Sequence, residues 1–141
     1  MAIFLLFQVI LSFSCTKIQL NPENQTNAFQ VRSVPEGVTL SVAYGTWAPK
    51  VKAEAKLVGI HIQDFQLVEW HESQIDERAV MRMKKVNLPL SIPPGSVFTF
   101  SPSGTHLMLL GRKRNIQKGD RLPLSFVFET GESESYEAIV E

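Results

Sequence analysis

The feature that most constrains the fold of this chain is a series of short apolar segments separated by glycine and proline turns. Between residues 28 and 141 these segments recur about every 8 to 15 residues, and none shows the periodicity of a capped amphipathic helix. The predicted strands are FQVRSV, VTLSVAYGTW, KLVGIHI, FQLVEWHE, AVMRMKKV, SVFTF, HLMLLG, LPLSFVFET and SYEAIV. Turn signals such as Pro93-Pro94-Gly95 lie between them. The pattern predicts an all-β domain, either a β-sandwich or a small barrel.

The size and charge of the chain narrow the class of protein further. A chain of 141 residues suffices for one domain, and 44% hydrophobic with 20% charged residues is typical of a globular protein. The 14 basic and 14 acidic residues balance, so the sequence lacks the basic excess of a nucleic-acid-binding surface. We therefore expect a single globular domain without a nucleic-acid partner.

The N-terminal residues differ from the rest of the chain. Residues 1–14 carry no charge and are rich in Ile, Leu, Phe and Val. This segment is too short for a permanent transmembrane helix but is typical of the apolar part of a secretory signal. A buried N-terminal strand is the alternative. Residues 15–27 are polar and rich in Asn and Gln, which predicts a tether before the domain at 28–141.

Cys15 is the only cysteine and directly follows the apolar segment. Small residues near it resemble a bacterial lipoprotein signal, in which the cysteine is lipidated after cleavage, although Ser12 stands where that pattern prefers Leu. A lone thiol cannot form an internal disulfide, which also fits a modified cysteine. The sequence therefore predicts export to the periplasm or cell envelope, with a possible lipid anchor at Cys15.

Histidine and methionine are the chemically distinctive residues of the domain. Side chains two apart in a strand lie on the same face, so His106 and Met108 share one face while Leu107 and Leu109 share the other. The leucine face is the predicted core. Met81 and Met83 also share a face, and apart from Met1 the chain has no further methionine.

These donor types indicate a soft metal ion. Thioether sulfur prefers Cu(I), which imidazole also binds, whereas Zn(II) and Fe(II) favour harder or charged ligands. The alternative is that the methionines fill the core, which is the usual role of this residue. The clustering of His106 and Met108 beside a second methionine pair favours the metal.

At these residues the sequence resembles the periplasmic copper chaperones of the PCu(A)C family. Their signature of His, Met and a closing His-x-Met is similar to His71-Glu72, Met83 and His106-Leu107-Met108. The segments VMRMKKV, IPPGSVFTFSPSGTHLMLLG and KGDRLPLSFVFETGE also look like family segments. The resemblance implies a cupredoxin-like, immunoglobulin-like β-sandwich with Cu(I) held by His71, Met83, His106 and Met108. It also implies delivery of copper to cuproenzymes such as cytochrome c oxidase.

The spacing of the signature does not decide between Met83 and Met81 as the first methionine ligand. Family members typically have ten residues between the first His and the Met, and this chain has 11 (72–82). The second interval is typically twenty-one and is here 22 (84–105). Met81 gives intervals of 9 and 24 and is the alternative to Met83.

Other functions have weaker support in the sequence. His61 is predicted to be a surface residue, and Trp70 must face the core because its neighbour His71 faces away. A hydrolytic zinc site would need a third clustered histidine, and a blue-copper site would need a cysteine thiolate in the domain. No catalytic fingerprint is present, so we expect no enzyme. The rival hypothesis is a metal-free envelope lipoprotein whose β-sandwich binds proteins or serves a structural role.

Overall fold

The computed structural model describes residues 29–141, so the predictions for the segments 1–14 and 15–27 and for Cys15 lie outside the described residues. Ten strands and no helix form this part of the chain. The strands are β1 (Phe29–Val31), β2 (Ser41–Trp47), β3 (Ala55–Ile62), β4 (Phe65–Ile75), β5 (Met81–Lys85), β6 (Leu90–Ile92), β7 (Phe98–Phe100), β8 (His106–Arg112), β9 (Arg121–Phe128) and β10 (Ser133–Val140). Within residues 29–141 there is accordingly no helix that could cross a membrane.

The predicted all-β class is confirmed, and each of the nine predicted strands overlaps an observed one. Strand β6 was not predicted. It contains only three residues, Leu90–Ile92, and lies between Pro89 and the Pro93-Pro94 pair. Proline cannot donate to a sheet ladder, so the sequence favours a loop here. The strand forms because β6 needs only one neighbour, β3, at the edge of the sheet.

Hydrogen bonds link the strands in the order β5-β4-β8-β2-β1-β10-β9-β3-β6, with β7 paired to β2. The sheet closes over itself into a β-sandwich, because strands distant in this order pack face to face. Trp47 on β2 and Phe126 on β9 stack with ring centroids 4.0 Å apart and an interplanar angle of 6°. Both side chains are fully buried and form the centre of an aromatic core.

Strand β2 changes partner midway, and a glycine permits the change. Residues Ser41 to Ala43 pair with β8, whereas Gly45 to Trp47 pair with β7. A Cβ atom at Gly45 would lie 2.9 Å from the Phe29 ring. Gly45 therefore allows β1 to pack closely against the bend of β2.

The chain enters the domain at the end of the sandwich that carries the two sequence-predicted histidines. Val31 pairs with Ala43, Ala43 with Leu107, and Leu107 with Trp70, so these four residues form one row across the sheet. Strands β1 and β8 run in the same direction, because each is antiparallel to β2. The step from Val31 to Phe29 therefore leads towards the same end of the sandwich as the step from Leu107 to His106. The first described residue, Phe29, therefore lies at the histidine end.

Candidate metal centre

Strand β4 lies between β5 and β8, and the candidate ligands occupy one face of these three strands. In an antiparallel pair, residues directly opposite each other point to the same side of the sheet. His71 on β4 is directly opposite His106 on β8. Their ring centroids lie 5.8 Å apart with an interplanar angle of 55°. The register thus brings together two histidines that are far apart in the sequence.

The methionines lie on the same face, on either side of this histidine pair. Met108 is opposite Glu69, one same-face step from His71 in one direction along β4. Met83 is opposite Ser73, one step in the other direction, and Met81 is opposite Ile75, one step farther. Diagonal neighbours on a face are about 7–8 Å apart, within the reach of a long side chain. Met83 therefore lies nearer to the histidines than Met81 does.

Exposure differs among these side chains. His106 is buried, at 3% relative exposure, and the His71 side chain is 17% exposed. Met108 is half-buried, whereas Met83 and Met81 are exposed on the edge strand β5. The two histidines thus lie within the sandwich, whereas Met83 and Met81 lie at its solvent-exposed edge.

Each histidine has one ring nitrogen in a hydrogen bond and one without a partner. His71 Nε2 lies 2.9 Å from Glu69 Oε2, and His106 Nδ1 lies 3.1 Å from the carbonyl oxygen of Gly104. The other nitrogens, His71 Nδ1 and His106 Nε2, are buried and have no hydrogen-bond partner among residues 29–141. A buried polar atom needs a partner, and these two nitrogens can take a metal ion in that role. A histidine that binds a metal through one ring nitrogen characteristically donates a hydrogen bond from the other, to a carboxylate or a backbone carbonyl.

The donor types on this face fit a soft ion better than a hard one. Among the described residues, no three His, Cys, Asp or Glu side chains are grouped so that they could hold a metal ion. The other soft donors on this face are the thioethers of Met83, Met81 and Met108. Two imidazoles with one or two thioethers form a neutral donor set of the kind that suits Cu(I).

Two charged residues at this face were missed by the sequence analysis. Lys85 on β5 is opposite His71, and its Nζ donates to Glu69 Oε1 over 2.5 Å. The hydrogen bond from Lys85, followed by that from His71, lowers the pKa of the Glu69 carboxyl below its ordinary value of 4.5. The two-residue spacing of Glu69 and His71 was a sequence signal for a shared face. The role of Lys85 depends on strand register, which the sequence alone does not specify.

Two other sequence predictions concern residues outside the centre. Trp70 is buried, as the alternation predicted, and its ring contacts those of Phe98 and Phe100 at centroid distances of 5.0 and 4.9 Å. This aromatic contact fixes β4 from the core side, directly beneath His71. His61 is exposed on β3, as predicted.

The fold and the histidine–methionine face define the class of protein as a PCuAC-type β-sandwich. The copper-bound PCuAC domain from PmoF2 has a similar fold, with a TM-score of 0.59 and 23% identity over 82% of this chain and 89% of that one. The Cu(I) form of DR1885 from Deinococcus radiodurans has a TM-score of 0.59 and 26% identity, covering 81% of this chain and 75% of that one.

The amino-acid sequence also identifies the family of this chain. The chain belongs to the LpqE-like family, described as "Putative lipoprotein LpqE-like", whose profile matches residues 25–140. A curated relative, "Putative lipoprotein Lxx21020" from Leifsonia xyli subsp. xyli, is 24% identical over 113 residues. That match covers 78% of this chain and 68% of the relative. The resemblance to PCu(A)C proteins inferred from the sequence is therefore confirmed by the solved PCuAC structures.

Proposed function

We propose that this protein is an exported copper chaperone that binds one Cu(I) ion at His71, His106, Met108 and Met83. The observation that carries the proposal is the pair of buried, unpartnered ring nitrogens on adjacent strands, His71 Nδ1 and His106 Nε2, within residues 29–141. The copper-bound and Cu(I) forms of the similar PCuAC structures support it.

The proposed chemistry is ligand exchange without catalysis. Imidazole and thioether ligands are neutral, so Cu(I) keeps its charge and a competing donor can displace one ligand at a time. The exposed side chain of Met83, at 60% exposure, is the ligand that an incoming acceptor reaches first. His106 is buried and would release the ion last.

The proposed acceptor is a cuproenzyme such as cytochrome c oxidase. The test uses cells that lack this protein and are complemented with the wild type or with a His71→Phe, His106→Phe double variant. The proposal predicts restored copper content and activity of the oxidase with the wild type alone. Equal restoration by both proteins would contradict copper delivery through this site.

We also propose that Cys15 is lipidated and anchors the protein to the cell envelope. The lipoprotein description of the family supports this. Labelling with a fatty-acid analogue is expected to mark the wild type and not Cys15→Ser. Equal labelling of both would contradict the anchor.

A metal-free envelope lipoprotein is the second candidate function. The exposed apolar residues of the β4–β5 hairpin, Ile75 and Val80, favour a protein-binding role for that element. A purified domain that fails to compete with a Cu(I) chelator would contradict the chaperone and favour this candidate.

A further inference from the structure

Glu69 on β4 contacts His71 of its own strand and Lys85 of the neighbouring strand β5. Its Oε2 accepts from His71 Nε2 over 2.9 Å, and its Oε1 accepts from Lys85 Nζ over 2.5 Å. The carboxylate is 16% exposed, so both bonds lie in a partly desolvated site. Each carboxylate oxygen of Glu69 thus accepts a hydrogen bond from a neighbouring side chain.

These two bonds determine which nitrogen of His71 carries the hydrogen. An ionised carboxylate can only accept, so His71 Nε2 must donate. The neutral ring then has its lone pair on Nδ1, the nitrogen that is buried without a partner in residues 29–141. His106 has the opposite arrangement, since its Nδ1 faces the Gly104 carbonyl and its Nε2 is unpartnered.

We propose that Glu69 is a positioning residue that presents His71 to copper through Nδ1, while His106 binds through Nε2. This inference rests on the proposed function and adds the donor atoms and the group that selects one of them. Lys85 supports Glu69 from β5, the strand that also carries Met83. The Glu69–Lys85 contact therefore links the orientation of His71 to the strand of an expected thioether ligand.

The chain offers variants that separate this role from folding. Glu69→Leu keeps the bulk of the side chain but removes the acceptor. Glu69→Gln keeps an oxygen that can accept from His71 Nε2. Glu137→Leu is the matched control, because Glu137 is also a mid-strand glutamate in an ion pair, with Arg121, and lies on β10, three strands from β8.

The first measurement is the tautomer of His71 in the copper-free protein, read from the side-chain ¹⁵N chemical shifts. The wild type, Glu69→Gln and Glu137→Leu are expected to hold the Nε2–H form, and Glu69→Leu is expected to show a mixture. This readout needs no copper, so it tests the positioning role even where the proposed function fails. A wild type that lacks the Nε2–H form would overturn the inference.

The second measurement is Cu(I) affinity by chelator competition. Loss of a group that orients a metal-bound histidine typically weakens binding about 10- to 100-fold, which is the effect expected for Glu69→Leu. Glu69→Gln should recover most of the affinity, and Glu137→Leu should match the wild type. Wild-type affinity in Glu69→Leu, or ligation of His71 through Nε2 in the Cu(I)-loaded protein, would contradict the inference. Absence of Cu(I) binding by the wild type would instead contradict the proposed function.

Discussion

His71 and His106 are direct cross-strand partners, 35 positions apart in the sequence but with ring centroids only 5.8 Å apart. The ladder between β4 and β8 fixes this contact, and the buried Trp70 supports it from the core side. The strand register therefore builds the pair into the fold.

The two methionines of β5 should differ in their effect on copper. Met83 lies one same-face step from the histidine pair and Met81 lies two steps away. Leucine keeps the apolar bulk of methionine, so it removes the sulfur with little change in packing. Met83→Leu is expected to weaken Cu(I) binding at least tenfold, which corresponds to about 1.4 kcal/mol. Met81→Leu, the matched control, should have a much smaller effect in the same chelator competition. The reverse ranking would assign the ligand to Met81.

The ion selectivity of the domain should follow from its donors. Thioethers favour Cu(I) over Zn(II), and residues 29–141 hold no group of three His, Cys, Asp or Glu that would suit zinc. Titration under reducing conditions should show tight binding of Cu(I) and weak binding of Zn(II). Zinc affinity equal to or above that for Cu(I) would indicate a histidine site that does not use Met83 and Met108.

The two faces of β8 should differ in their contribution to stability. Leu109 is fully buried in the core, whereas Leu110 is half-buried on the face of His106 and Met108. Leu109→Ala should lower the free energy of unfolding by about 2–5 kcal/mol, because it removes core contacts and leaves a cavity. Leu110→Ala should cost less than about 1.5 kcal/mol by urea denaturation. Equal losses for the two variants would contradict the assignment of the faces.

The β4–β5 hairpin should lose stability in acid through Asp76. The hydrogen bond from Arg82, followed by that from the Val80 amide, lowers the pKa of Asp76 below its ordinary value of 3.8. A lowered pKa in the folded state means that the carboxylate stabilises the protein above pH 3.8 and that this contribution is lost as the pH falls below it. Asp76→Asn should therefore be less stable than the wild type at pH 7, with a difference that shrinks in acid. Urea denaturation of both proteins at pH 7 and at a pH below 3.8 measures this difference in stability.

The neighbouring Glu77 provides the control for the hairpin experiment. It is exposed beside Asp76 in the same turn. Glu77→Gln is expected to leave the stability unchanged across the same pH range. A loss at neutral pH as large as that of Asp76→Asn would show that general surface charge, rather than the Asp76 contacts, stabilises the hairpin.

The sequence predicted the strands well because their alternation and turn residues are local signals. It also placed Leu107, Leu109 and Trp70 in the core, where each is buried. The short strand β6 was missed because its pairing with β3 is a long-range contact between proline-flanked residues. The ion pair between Lys85 and Glu69 was missed because it depends on the register between β4 and β5, which is not a local signal.

The burial of His106 is a further property that alternation could not predict. The residue lies on the face opposite the leucine core, yet it is only 3% exposed. Alternation gives the face of a strand residue, whereas burial depends on what the rest of the fold places over that face. The ligand set of His71, Met83, His106 and Met108 remains a prediction from family resemblance, supported by their common face.

The most direct test of the copper proposal is a competition titration of the purified domain with a Cu(I) chelator under anaerobic, reducing conditions. The wild type is compared with His106→Phe, which keeps an aromatic ring but lacks the nitrogen, and with His61→Phe, which alters the exposed histidine of β3. We predict one tightly bound Cu(I) per chain for the wild type and for His61→Phe, and a loss of affinity of at least about tenfold, or 1.4 kcal/mol, for His106→Phe. Absence of Cu(I) binding by the wild type, or undiminished binding by His106→Phe, would contradict the account.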